Sequence, residues 1–200
     1  MAIAIRGFGL LAALLLAACA TTRAPAPAPL DPQAQRQLLQ RLARIELAGR
    51  IAGAVGDDGF SAQLALDLQG ERADLNLRAP LGFGSARVAI DGDRFEFSSS
   101  RGEKLAGEAA QAAVLQRLGF EPPVRSLRYW LLGVPDPALP STALAGVSGF
   151  EQAGWRVTLA EPALTIVRSP AASVAVPKRV TLERSPVRLR VLLERWKLAT

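Results

Sequence analysis

The sequence predicts an α+β fold dominated by β structure: a curled antiparallel sheet, or incomplete barrel, of roughly ten or eleven strands with three helices over its mouth. Two observations carry that prediction. Short runs from about residue 60 onward place apolar residues at every second position, and Gly- or Asp-rich turns separate the runs. Three other segments show helical spacing instead, and a sheet with one apolar face has nothing else to cover it. The chain contains no internal repeat.

The first expected element is a helix over residues 31–44. Asp31 suits the cap, Pro32 suits the first turn, and Leu38, Leu39, Leu42 and Ile45 fall on one face. The period then changes to two. Leu64, Leu66 and Leu68 alternate with Gln63, Ala65 and Asp67, and Leu75 and Leu77 alternate with Asp74, Asn76 and Arg78. Val88 and Ile90 follow, then Phe95 and Phe97 against Arg94 and Glu96. Asp57-Asp58-Gly59 and Asp91-Gly92-Asp93 read as hairpin turns, in which Gly supplies the positive φ.

A helical insert interrupts the sheet. Residues 107–118 are Ala-rich and close at Gly119; residues 122–132 carry Val124, Leu127 and Leu131 on one stripe and close at Gly133. After a loop over 135–140, strands are expected at 147–152, 155–159, 164–168, 174–182 and 187–196. Periodicity leaves open whether the interior enclosed by this sheet is solid or hollow.

The amino terminus reads as a leader. One positive charge at Arg6 precedes an Ala/Leu stretch that runs to Ala18, directly before Cys19. That stretch is shorter than the roughly 20 residues a membrane span needs, so it is expected to be removed, leaving 1–18 as a signal peptide. The small residues before the cysteine resemble the lipobox, in which the thiol is acylated before cleavage. Cys19 is also the only cysteine, so an exported chain has no disulfide partner for it, and lipidation accounts for it. Residues 19–30 then form a tether: alternating Ala-Pro favours extended polyproline and spans on the order of 30 Å. Ala20, rather than Asp, after the lipidated residue favours the outer over the inner membrane. Residues 31–200 are expected to be one domain.

Composition narrows the function. Without Arg6 the chain carries 23 basic against 18 acidic side chains, a net +5, concentrated in the last strands at Lys178, Arg179, Arg184, Arg188, Arg190, Arg195 and Lys197. No nucleic-acid module accompanies that excess, and none is expected as a partner. The sequence has no histidine, and acylation consumes its one thiol, so the commonest general base and nucleophile are missing. Gly82-Phe83-Gly84 is not a nucleotide fingerprint, because no helix follows it in a βαβ unit. No catalytic residues, no metal and no cofactor are expected, and the chain is read as a non-enzyme.

Several segments, in order, resemble the LolB family of outer-membrane lipoprotein receptors. They are Gly49-Arg50-Ile51, Pro80-Leu81-Gly82, and Leu127-Arg128-Tyr129-Trp130-Leu131-Leu132-Gly133-Val134-Pro135. Gln152-Ala153-Gly154-Trp155-Arg156-Val157 and the stretch from Pro177 through Val187-Arg188-Leu189-Arg190 to Trp196 complete the match. There are departures: Leu66 and Leu68 stand where the family often has Trp, and Thr158 and Leu159 where it often has an aromatic. Aromatics make up only 6% of the chain.

The resemblance implies a half-open barrel with a helical lid, like that shared by LolA and LolB. Such a protein takes acylated lipoproteins from a soluble periplasmic carrier of the LolA type and inserts them into outer-membrane lipid, without nucleotide and as a monomer. Two sites follow. Pro80, Leu81, Gly82 and Phe83 form a loop with large apolar groups where a turn is normally polar; they either tuck under the sheet or stand exposed, and the family implies an exposed leucine, matched by Leu81, that engages the membrane. The cavity candidates are Leu64, Leu66, Leu75, Leu77, Phe95 and Trp155 on strands, with Leu127 and Trp130 from the lid; each could equally be packing alone. The competing class is a lipid-anchored accessory subunit with a solid core.

Overall fold

A computed structural model describes residue 28 and residues 30–56, 58–168 and 171–200. The expected leader, Cys19 and nearly all of the tether lie outside the described residues.

Helix α1 spans Pro32–Gln40, and the Asp31 carboxylate accepts hydrogen bonds from the amides of Gln33 and Ala34, both at 3.0 Å. It ends four residues before the expected boundary. Leu42 and Ile45 are buried as expected, but from the connecting turn and the first strand, because Arg44 already pairs in the sheet. A buried residue can meet the same core from two kinds of backbone, so helical spacing overran the helix.

Eleven strands follow among the described residues: β1 Arg44–Val55, β2 Asp58–Gln69, β3 Arg72–Arg78, β4 Ser85–Asp91, β5 Arg94–Ser99, β6 Lys104–Ala106, β7 Ser141–Ala143, β8 Gly149–Gln152, β9 Trp155–Arg168, β10 Ala172–Arg184 and β11 Val187–Ala199. Two helices, α2 Gly107–Leu118 and α3 Val124–Trp130, sit between β6 and β7. The sheet order is β6-β5-β4-β3-β2-β1-β11-β10-β9-β8-β7. Two meanders therefore spread from a central β1–β11 pair, and the outermost strands β6 and β7 do not meet. With three α-helices among the described residues, this is the open, incomplete antiparallel barrel that the sequence predicts.

Two expected strands, 155–159 and 164–168, are one. Pro162 suggests a break, since it cannot donate to a ladder. Here Pro162 lies opposite Pro177, so the two residues without an N–H share one register position, and Glu161 takes up the irregularity at φ 55°. The short strands β6 and β7 carry too few residues to show a period. α3 is shorter than residues 122–132 because Pro122 and Pro123 lie before its first turn.

One bulge shapes the centre. Register shifts between Ala48 and Gly49 against β11, and a Cβ at Gly49 would stand 2.0 Å from the carbonyl oxygen of Leu192. Only glycine permits that approach.

The inward face of the sheet builds apolar rows across the strands. Trp196, Leu47, Leu66, Leu75, Val88, Phe97 and Leu105 are successive register partners from β11 to β6. The main core gathers these rows from β1, β2 and β8–β11 under α1 and the Trp130-Leu131-Leu132 turn. A second, smaller core forms where Ala110 and Val114 of α2 cover Phe97.

Candidate functional site

The strand candidates share one face. Leu64 pairs with Leu77, and Leu66 with Leu75; Phe95 lies one row away, opposite Ile90. Their cover differs. Leu64 and Leu66 are buried within the main core, but Leu75, Leu77, Val88 and Ile90 are only half-buried. These residues lie between the two cores, and Leu118 is the side chain that packs against both. An apolar strip thus runs along β3 and β4 with incomplete cover. Leu127 of α3, also half-buried, packs against the main core beside them.

A groove of about 840 Å³ opens between α2, the start of α3 and the β4–β5 hairpin. Ile90, Phe95, Val114, Leu115 and Val124 form its apolar part, and Glu108, Glu121 and Arg125 stand at polar positions in its wall. Its size lies within the range of ligand sites, and the apolar-floor, polar-edge arrangement suits an amphiphile whose tail goes in and whose head stays wet.

Trp130 and Trp155 are placed deeper. Both are essentially inaccessible, with ring centroids 6.3 Å apart, and Phe120 meets Trp155 edge-on at 5.9 Å. Trp130, the last residue of α3, seats the lid helix against Trp155 of β9. Sequence reasoning missed what holds them there. The buried Gln152 accepts from Trp130 Nε1 at 2.7 Å and from the Asp136 amide at 2.8 Å, and donates to the carbonyls of Asp136 and Leu139. Ser126 Oγ of α3 donates to Asp136 Oδ2 at 3.0 Å. A glutamine filling both ends of its amide satisfies several otherwise stranded groups. The sequence marks Gln152 only as the start of the Gln-x-Gly-Trp-x-Val match and gives no sign of its partners.

Arg128 fastens the same helix from outside, donating to the carbonyls of Gly70 at 2.7 Å and Leu42 at 3.0 Å. Gln40 of α1 donates to the Pro135 carbonyl at 2.9 Å. The cover over the core is therefore held by hydrogen bonds at its rim.

The loop candidate stands out from the body. Pro80–Gly82 forms a single 3-10 turn, in which Leu81 has φ 55°. Leu81 is 93% exposed and Phe83 75% exposed. The stem is closed by the Ala79 amide bonding the Gly84 carbonyl at 2.9 Å and by a reciprocal tie between Ser85 and Ser100. A leucine in the left-handed region is disfavoured, and strained residues gather where a side chain must be displayed. Of the two readings left open for this loop, the exposed one describes the structure.

The outward face is charged and largely self-neutralised. Arg87 hydrogen-bonds the Asp74 carboxylate, which holds that carboxyl below its ordinary range, and Lys197 does the same for Glu46. Arg50–Glu194, Arg156–Glu151, Arg179–Glu161 and Arg188–Glu183 pair across it. Among the described residues no group of His, Cys, Asp and Glu could hold a metal ion, and no helix is long and apolar enough to cross a membrane.

The family described as "Outer membrane lipoprotein LolB" has a model that matches residues 43–196. The chain is similar to the outer-membrane lipoprotein LolB of Nitrosococcus oceani, 29% identical with 94% of this chain and 95% of the relative aligned. Its similarity to the protein of that name from Alkalilimnicola ehrlichii is 32%, covering 94% of each chain. The Francisella tularensis relative, again an outer-membrane lipoprotein LolB, is 25% identical, covering 96% of each.

Proposed function

The chain belongs to the LolB family of outer-membrane lipoproteins, and from that premise we propose that it receives acylated lipoproteins and inserts them into the outer membrane. Cleavage after residue 18 and acylation of Cys19 anchor it there on the periplasmic side, residues 19–30 are the tether, and residues 31–200 are the working domain. The acyl chains come from a soluble periplasmic carrier of the LolA type. The step needs no nucleotide and no catalytic residue.

The single observation that carries this reading is the half-buried apolar strip of Leu75, Leu77, Val88 and Ile90 between the two cores. Each buried acyl CH₂ is worth about 0.8 kcal/mol, so a long chain represents on the order of 10 kcal/mol against water. It moves only from one dry site to the next. A sheet face left partly bare, under helices held by rim hydrogen bonds, is suited to take such a chain and give it up. Phe95 and Leu127 flank the strip; Leu64 and Leu66 extend it inward; Trp130 and Trp155 back it.

Leu81 serves the last step. A rigid loop that presents Leu81 and Phe83 to water has no folding benefit, whereas entry into the bilayer interface rewards both side chains.

The test is titration of the folded domain with a fluorescent long-chain acyl probe, competed by a triacylated lipopeptide. Saturable, displaceable binding is expected. A folded sample that binds no probe would move the assignment to an accessory subunit with a filled core. In reconstituted delivery, Leu81→Glu is expected to keep probe affinity and lose transfer to membranes; normal transfer by that variant removes the loop from the mechanism.

A further inference from the structure

The outward face of β9 carries an apolar stripe that the charged character of that face does not explain. Leu164 is 67% exposed and Ile166 43% exposed, while the intervening side faces the core, where Val167 is fully buried. Other outward positions hold ion-paired charges such as Arg156, Arg179 and Glu183. Two large apolar residues at consecutive outward positions form a small patch of the kind that marks an interaction surface.

The position of the stripe identifies what it meets. Leu164 pairs with Ala175 and Ile166 with Ser173. The carbonyl of Ser173 accepts from the amide of Leu30 at 3.4 Å, and both backbone polar groups of Ala175 are bonded by the Gln35 side chain, at 2.7 and 3.1 Å. The amino-terminal end of the domain is thus docked one strand away from the stripe. Cys19 lies only eleven residues before Leu30. Even fully extended, at about 3.5 Å per residue, that length keeps this corner within roughly 40 Å of the bilayer that holds the lipid. The next outward residue is Arg168, which is exposed and has no acidic partner among the described residues. Aliphatic side chains beside an unpaired guanidinium are the composition of an interfacial membrane contact with anionic headgroups.

We propose that the Leu164–Ile166 stripe, with Arg168, is a second bilayer-contacting surface that seats the tethered corner of the protein on the membrane. It rests on the reading of the chain as a Cys19-anchored lipoprotein. The loop bearing Leu81 follows Arg78, which lies in register with Gln63 and Arg50 in the middle of β1, whereas Val167 pairs with Leu198 and so with Ile45 near its start. The two surfaces are separate contacts, offset along the strands.

Acylation of Cys19, the only native cysteine, leaves an introduced cysteine as the sole free thiol of the full lipidated chain. An environment-sensitive fluorophore is attached at Ile166→Cys, with Leu164→Cys as a second site, Leu81→Cys at the loop and Ala52→Cys as an exposed outward control. Each chain is reconstituted into phosphatidylcholine vesicles with or without phosphatidylglycerol. The expected result is a blue shift at 164 and 166, quenching by spin-labelled lipid, and a stronger effect with phosphatidylglycerol. Water-like emission at both sites, matching Ala52, overturns the proposal. So does shielding from aqueous iodide without quenching by lipid, which assigns the stripe to a protein neighbour. Flotation with the vesicles reports anchoring separately, and acyl-probe binding reports the receptor function, so failure of either is distinguishable from failure of the stripe.

Discussion

Gly49 shows how much one residue decides. Its inward position lies in the central strand pair, and the Leu192 carbonyl occupies the place of a side chain. Gly49→Ala is expected to cost about 3 kcal/mol, since backbone, not a flexible side chain, must yield. Chemical denaturation monitored by Trp fluorescence measures it; an unchanged midpoint would mean that the bulge relaxes freely. The Gly-Arg pair was noticed in the sequence, but the reason for it was not legible, because the obstructing carbonyl is about 140 residues away in the chain. Gln152 is similar. Its place before Gly-Trp was visible, whereas its partners Trp130, Asp136 and Leu139 are brought to it only by the fold.

Local signals did best where an element is self-contained. α2 ends at Gly119 in the left-handed region, at the expected position, because the stop signal is written in the residue itself. The end of α1 was misplaced, since Leu42 and Ile45 satisfy helical spacing while serving a turn and a strand. α3 gives a prediction at this scale. Seven residues cannot hold a helix alone, so its position depends on Arg128, Ser126 and the Trp130–Gln152 pair. Arg128→Ala removes the bonds to Gly70 and Leu42 on the solvent side and is expected to cost about 1 kcal/mol overall. Its larger effect falls on motion: amides of residues 127–132 exchange hydrogen faster, and bound acyl probe leaves sooner. Unchanged exchange there would place control of the lid in the Gln152 clamp alone.

The architecture as a whole was legible because alternation and turns are repeated many times, so errors at single boundaries do not change the count of layers. The candidate site was legible only in part. Leu66 and Leu75 are register partners and look alike in sequence, yet one is buried in the core and the other half-exposed. The difference is made by where the helices stop covering the sheet, which no period along the chain encodes. The loop around Leu81 and the stripe at Leu164 were hard for the opposite reason. Apolar residues in strands read as core, and periodicity alone left the turn open between tucked and exposed; only the assembled surface shows both facing water.

The pairing of β1 with β11 bears on how the molecule comes into being. Arg44 lies beside Ala199, so the middle of the sheet joins segments at the two extremes of the domain. A polypeptide threaded amino end first through a translocation channel offers β1 long before β11 exists on the far side. Only the hairpins and the short helices can form early, and the ladder that unites the two meanders waits for the final dozen residues. Contacts of such sequence separation close slowly. The same pairing that stabilises the finished sheet thus delays its completion, and the two meanders stay unjoined until nearly all of the chain has passed.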